Sequence, residues 1–104
     1  MRVASLAELP EGALCDVEVD DDVILILNAE GTIHALSAWC PHMGSSLALG
    51  KVMGTTLACW AHLWRFDVRS GQPLWPPLAR VAPGYNLRRY AVEVRGGEVF
   101  VIVP

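Results

Sequence analysis

Two short segments gather the residues best able to hold a metal. Cys40-Pro41-His42-Met43-Gly44 comes first, and Cys59-Trp60-Ala61-His62 follows with sixteen residues between His42 and Cys59. Each segment carries one thiol and one imidazole, in the patterns C-x-H and C-x-x-H. Taken singly, such residues are ordinarily structural: a lone cysteine packs as a small hydrophobe, and a lone histidine is held by hydrogen bonds. His34 and Cys15, which stand apart from the two segments, are read that way. Two thiols and two imidazoles in two turn-rich stretches are harder to ascribe to packing, and a metal site is the better reading.

How the donors are divided narrows the chemistry. Zinc fingers usually take both thiols from one short pair and both imidazoles from another. Here each segment supplies one of each, which fits two metal positions. Cys40 and Cys59 would bind one iron and His42 and His62 a second, with sulfide bridging the two, a His-substituted 2Fe-2S arrangement. A zinc-stabilised, non-redox interaction module using the same four ligands is the alternative from another functional class.

Loops of this kind need a rigid support, and the rest of the chain reads as all-β. Short stretches rich in Val, Ile and Leu are separated by turn residues, and nothing of useful length repeats apolar residues at a helical period. Residues 14–19 and 23–27 flank the acidic turn Asp20-Asp21-Asp22, and Asn28-Ala29-Glu30-Gly31 leads into 32–36, which makes a three-stranded meander. Near the C-terminus, 88–95 and 98–103 are joined by Gly96-Gly97, a link with the backbone freedom a tight hairpin demands. Ser5-Leu6-Ala7-Glu8 has a capping-box pattern, but Pro10 limits it to about one helical turn. Between meander and hairpin lie two regions, 39–50 and 61–84, read as loops. The second is stiffened by Pro73, Pro76, Pro77 and Pro83, and Trp75 is expected to anchor it.

Composition sets the outer bounds. A chain of 104 residues fits one domain, 1–104, around a single core. With 53% hydrophobic and 18% charged residues it is not disordered. No apolar run approaches the roughly 20 residues of a membrane-spanning helix, and Glu8 and Glu11 stand where a signal-peptide core would lie, so no membrane association and a cytoplasmic location are expected. The net charge of -3 makes nucleic acid a poor partner. Acidic residues cluster early (Asp16, Glu18, Asp20, Asp21, Asp22) and arginines late (Arg65, Arg69, Arg80, Arg88, Arg89, Arg95), either as solvated faces or as surfaces for charged partners. Three cysteines without crowding exclude a disulfide framework.

The paired motif C-P-H-M-G and C-W-A-H-L-W-R-F-D resembles that of the Rieske iron-sulfur proteins. The resemblance implies an antiparallel β-sandwich with a small cluster-binding subdomain formed by two loops, about 39–50 and 59–67, and a 2Fe-2S cluster held by Cys40, His42, Cys59 and His62. The high-potential members of that family carry an extra cysteine in each loop, where this chain has Ser45 and Ala61. They also have Ser and Tyr hydroxyls where this chain has Trp64 and Phe66. With fewer hydrogen bonds to sulfur, the expected midpoint lies near the low end of the Rieske range, about -150 mV to just below zero.

What the resemblance implies about function is electron transfer rather than catalysis. The chain would be a monomeric ferredoxin carrying one electron from a flavin-containing, NADH-dependent reductase to a terminal oxygenase. The run Cys59-Trp60-Ala61-His62-Leu63-Trp64 is most similar to ferredoxins of diiron hydrocarbon monooxygenases. Ferredoxins of ring-hydroxylating dioxygenases are the runner-up. A nitrite reductase small subunit, which often lacks the ligands, is disfavoured. An oxygenase catalytic subunit is not expected, since a mononuclear iron domain would have to follow Pro104.

Overall fold

In the computed structural model, residues 1–40, 44, 46–60, 64–75 and 85–102 are described. They form ten strands: β1 (Arg2–Ser5), β2 (Leu14–Val19), β3 (Asp22–Ala29), β4 (Thr32–Ser37), β5 (Lys51–Met53), β6 (Thr56–Ala58), β7 (Arg65–Asp67), β8 (Pro73–Trp75), β9 (Arg89–Arg95) and β10 (Glu98–Ile102). Two 3-10 turns, Leu6–Glu8 and Leu47–Leu49, are the only helical elements among the described residues. Six strands make one sheet in the order β1-β10-β9-β4-β3-β2, and β5-β6-β7-β8 make a second. Every strand pairing is antiparallel. The expected all-β class, the meander and the closing hairpin are therefore present. No helix among the described residues is long and apolar enough to cross a membrane.

The hairpin ends follow from backbone chemistry. Gly96 and Gly97, with φ of +58° and +77°, join Arg95 to its partner Glu98. Both values lie where a side chain would crowd the backbone, so glycine is the natural occupant. At the N-terminus the Ser5 hydroxyl accepts from Ala7 N–H and the Glu8 carboxylate accepts from Ser5 N–H, so the capping box limits the turn as expected.

The unbroken run Val23-Ile24-Leu25-Ile26-Leu27 makes β3 a strand buried on both faces. Ile24 and Ile26 face one core, with Val19, Ala35, Val99 and Val101. Leu25, Leu27 and Ala29 face another, with Leu36, Leu57, Phe66 and Val68. The first core closes the six-stranded sheet on itself. The second packs that sheet against the four-stranded one, and it is the core that reaches Cys40 and Cys59.

Two expectations need correction. The region 61–84 is not loop throughout: it contains β7 and β8, and Pro73 is a buried strand residue opposite Phe66. Trp75 does not anchor a loop. It ends β8 opposite exposed Arg65 and is 51% exposed, because the register shifts between the Phe66–Pro73 and Arg65–Trp75 pairs and turns it away from the inward face that Pro73 holds. Pro76, Pro77 and Pro83 lie outside the described residues.

Candidate metal centre

Each predicted thiol ligand stands at the entrance of a loop whose base is pinched by backbone hydrogen bonds. After β4, Ala38 C=O accepts from Leu47 N–H at 2.8 Å, and Trp39 bridges Ser46. Inside that frame Gly44 N–H donates to Cys40 C=O at 2.8 Å. After β6, Cys59 N–H donates to Trp64 C=O at 2.7 Å, immediately before β7 begins. Cys40 and Cys59 are both 1% exposed and belong to one apolar cluster with Leu47, Leu57 and Trp64. Trp64 is held in turn by Tyr85, edge-on with ring centroids 5.1 Å apart.

Gly50 brings the two loops together. It ends the Leu47–Leu49 turn that leaves the first loop, and a Cβ placed on it would lie 2.2 Å from the carbonyl oxygen of Ala58. Ala58 is the residue before Cys59. Only a residue without a side chain allows the exit of one loop to press against the entrance of the other. Sequence reasoning missed Gly50, whose φ of -83° is one any residue adopts, so no turn signal marks it.

His42 and His62 lie outside the described residues, as do Pro41, Met43, Ser45, Ala61 and Leu63. Among the described residues no group of three or more ligand-type side chains assembles. Trp39 and Trp60, beside the two cysteines in sequence, are 50% and 57% exposed, so they form an apolar rim rather than a shell around the thiols. Phe66 is fully buried and pairs with Leu57 and Pro73, bringing no hydroxyl to the second loop.

The remaining sulfur and imidazole have structural settings. Cys15 is half-buried on β2 opposite Ile26, and burial, then the charges of Asp16 and Glu8, push its thiol pKa up, which keeps it protonated. His34 is buried on β4, its Nδ1 3.2 Å from Arg89 Nη2, and burial followed by the Arg89 charge lowers its pKa. A neutral imidazole there accepts the guanidinium N–H and ties β4 to β9.

An antiparallel β domain with two pinched loops, each delivering a buried thiol to one end of a shared core, defines a class of small metal-binding scaffold. The sequence matches the Rieske 2Fe-2S domain over residues 1–91, and the chain belongs to that family. It is 34% identical over 103 residues to sulredoxin of Sulfurisphaera tokodaii, covering 98% of this chain and 94% of that one. Over 100 residues it is 32% identical to the ferredoxin component of the alkene monooxygenase system of Xanthobacter autotrophicus, covering 95% and 77%. The solved ferredoxin of carbazole 1,9a-dioxygenase from Nocardioides aromaticivorans superposes with a TM-score of 0.85 at 31% identity, covering 97% and 94%. The described donors fit the family's 2Fe-2S cluster: two buried thiols, on loops held side by side, each followed within three residues by an imidazole.

Proposed function

We propose that this chain is a Rieske ferredoxin that carries single electrons from a flavin-containing, NADH-dependent reductase to a terminal oxygenase, with Cys40, His42, Cys59 and His62 as the ligands of its cluster. The observation that carries this reading is the pair of buried cysteines at the entrances of two loops pressed together at Gly50. When bound, the cluster supplies reversible one-electron chemistry. The chain's own residues provide the rest. Leu47, Leu57 and Trp64 pack with Cys40 and Cys59 and keep water from the thiol side. The backbone bonds across each loop base hold Cys40 and Cys59, so these two thiols need move little when charge arrives or leaves. Exposed Trp39 and Trp60 offer apolar contact close to the loops, suited to the small, weak encounters of electron carriers.

A diiron hydrocarbon monooxygenase is the preferred recipient, on the Cys59-Trp60-Ala61-His62-Leu63-Trp64 run and the likeness to the alkene monooxygenase ferredoxin. A ring-hydroxylating dioxygenase is the second reading, supported by the close superposition on the carbazole dioxygenase ferredoxin. The chain works in the cytoplasm as a monomer in this proposal. The test begins with anaerobically purified protein. Equal amounts of iron and acid-labile sulfide, and a rhombic paramagnetic signal after dithionite, are expected; a colourless protein containing only zinc would refute the reading. Reconstitution with an NADH reductase and either class of oxygenase, following product formed with and without this chain, then separates the two recipients.

A further inference from the structure

The surface beside the second loop has a composition at odds with the chain as a whole. Register across the four-stranded sheet sets Lys51 opposite Ala58, Ala58 opposite Arg65, and Arg65 opposite Trp75. Small Ala58 at the middle of that row leaves a shallow groove, walled by Lys51, Arg65, Leu49, Met53 and Trp60, with Cys59 in its lining. Leu49, Met53 and Trp60 are 65%, 44% and 57% exposed, and Trp75 extends the apolar rim. Among the described residues no carboxylate lines the groove, although the chain carries a net charge of -3. Neither Lys51 nor Arg65 has an ion-pair partner among the described residues, whereas Arg2, Arg69 and Arg95 are each paired. Trp39, the other exposed tryptophan, sits in a separate groove with Asp16 and Glu18 of β2. The end of the molecule that bears the loops is thus polarised, basic beside Trp60 and acidic beside Trp39.

We propose that the Lys51–Arg65 groove is the docking site for a protein surface with an apolar centre rimmed by carboxylates, belonging to one of the two electron-transfer partners. This rests on the carrier function proposed above. The acidic flank around Trp39 repels the same partner surface and so fixes the orientation of docking, while the desolvated contact with Trp60 supplies the holding energy. The partner's carboxylates would come to rest beside the strand that leads into Cys59.

The experiment compares the cluster-loaded double variant Lys51→Glu/Arg65→Glu with Arg2→Glu/Arg95→Glu, which changes net charge equally on the distant sheet. Both are checked for unchanged visible spectrum and thermal unfolding. Stopped-flow reoxidation of the dithionite-reduced proteins uses ferricyanide as an anionic probe and tris(phenanthroline)cobalt(III) as a cationic one. The groove variant is expected to react with ferricyanide more slowly than the control variant and with the cobalt complex at least as fast. With the reductase and oxygenase that turn over with the wild type, the groove variant should slow electron transfer with one protein by about tenfold at low salt, an effect that shrinks as salt rises. Equal behaviour of the two variants toward ferricyanide, equal losses with both proteins, or a loss indifferent to salt would overturn the inference. If wild-type protein supports no NADH-dependent turnover at all, the carrier reading fails instead, a result the ferricyanide comparison does not share.

Discussion

Gly50→Ala is the sharpest test of how the two loops are held together. The added Cβ would lie 2.2 Å from Ala58 O and 3.1 Å from Leu47 O, both backbone atoms that cannot swing aside. Close carbon–oxygen contacts settle near 3.3 Å, so β6 must retreat by roughly 1 Å at Ala58. Strain of that kind in a packed interior costs about 1–3 kcal/mol, a melting-temperature loss on the order of 5–15 °C for a domain of this size. The displacement falls on the residue before Cys59, in a three-residue strand paired on both sides, so it is passed on to Lys51 and Arg65 as well as to the thiol. The variant should therefore fold at low temperature yet bind iron and sulfide substoichiometrically. Gly97→Ala is the control: its φ of +77° makes alanine cost about 1–2 kcal/mol, but nothing lies within 4 Å of the added atom. Iron and sulfide per chain, measured beside thermal unfolding, should separate the two, with Gly97→Ala losing stability alone. Full cluster content and wild-type melting in Gly50→Ala would show that the contact with Ala58 does not set the loops.

Removal of either buried thiol, by Cys40→Ala or Cys59→Ala, should abolish visible absorption and bound iron, while Cys15→Ala keeps both; metal analysis decides. Phe66→Tyr puts a phenol where high-potential relatives have one, and a hydrogen bond to sulfur there should raise the midpoint by up to about 100 mV. An unchanged potential together with a stability loss of about 1–3 kcal/mol would mean that the hydroxyl is buried without a partner. For His34 the folded-state pKa lies below its ordinary value of 6.5, chiefly through burial and then the Arg89 charge, against a smaller opposing pull from Asp67. The unfolded chain then binds the proton more readily, so stability is fully present above 6.5 and declines as pH falls from there through the folded value. Unfolding midpoints measured across that window should show the slope in the wild type and a flatter profile in His34→Gln.

The sequence speaks clearly wherever one residue type admits few environments. Within β3 the stretch 23–27 is apolar at every position because both faces of the strand are buried, and Gly96-Gly97 marks the closing hairpin because both residues adopt positive φ. The four ligand candidates stand out by chemistry alone. The second sheet was illegible for the opposite reason. Its strands, K-V-M, T-L-A, R-F-D and P-L-W, are too short to display a period. What makes them strands is one inward row running across the sheet, in which Val52 faces Leu57, Leu57 faces Phe66 and Phe66 faces Pro73. That row is a property of pairing rather than of any segment. β1 was missed likewise, since its partner β10 lies at the other end of the chain.

The two cores divide the work of the molecule. Ile24, Ile26, Ala35, Val99 and Val101 pack together without contribution from either loop, so the six-stranded sheet has a core of its own. The other cluster includes Cys40 and Cys59 among its buried members, beside Leu25, Leu36, Leu57 and Phe66. Thiols placed in an apolar core are inert until they meet a metal, and as metal ligands they deprotonate and need the compensating charge. With Cys40 and Cys59 as ligands, cluster binding would be coupled to the packing of the core between the two sheets. Gly50, against Ala58, and Trp64, bonded to Cys59 N–H, stand at the points where the loops meet the four-stranded sheet. The larger sheet thus meets the thiols through one face only, that of Leu25, Leu27 and Leu36, and keeps the Ile24–Ile26 core on the other, while the smaller sheet carries the exposed Lys51 and Arg65 beside Trp60.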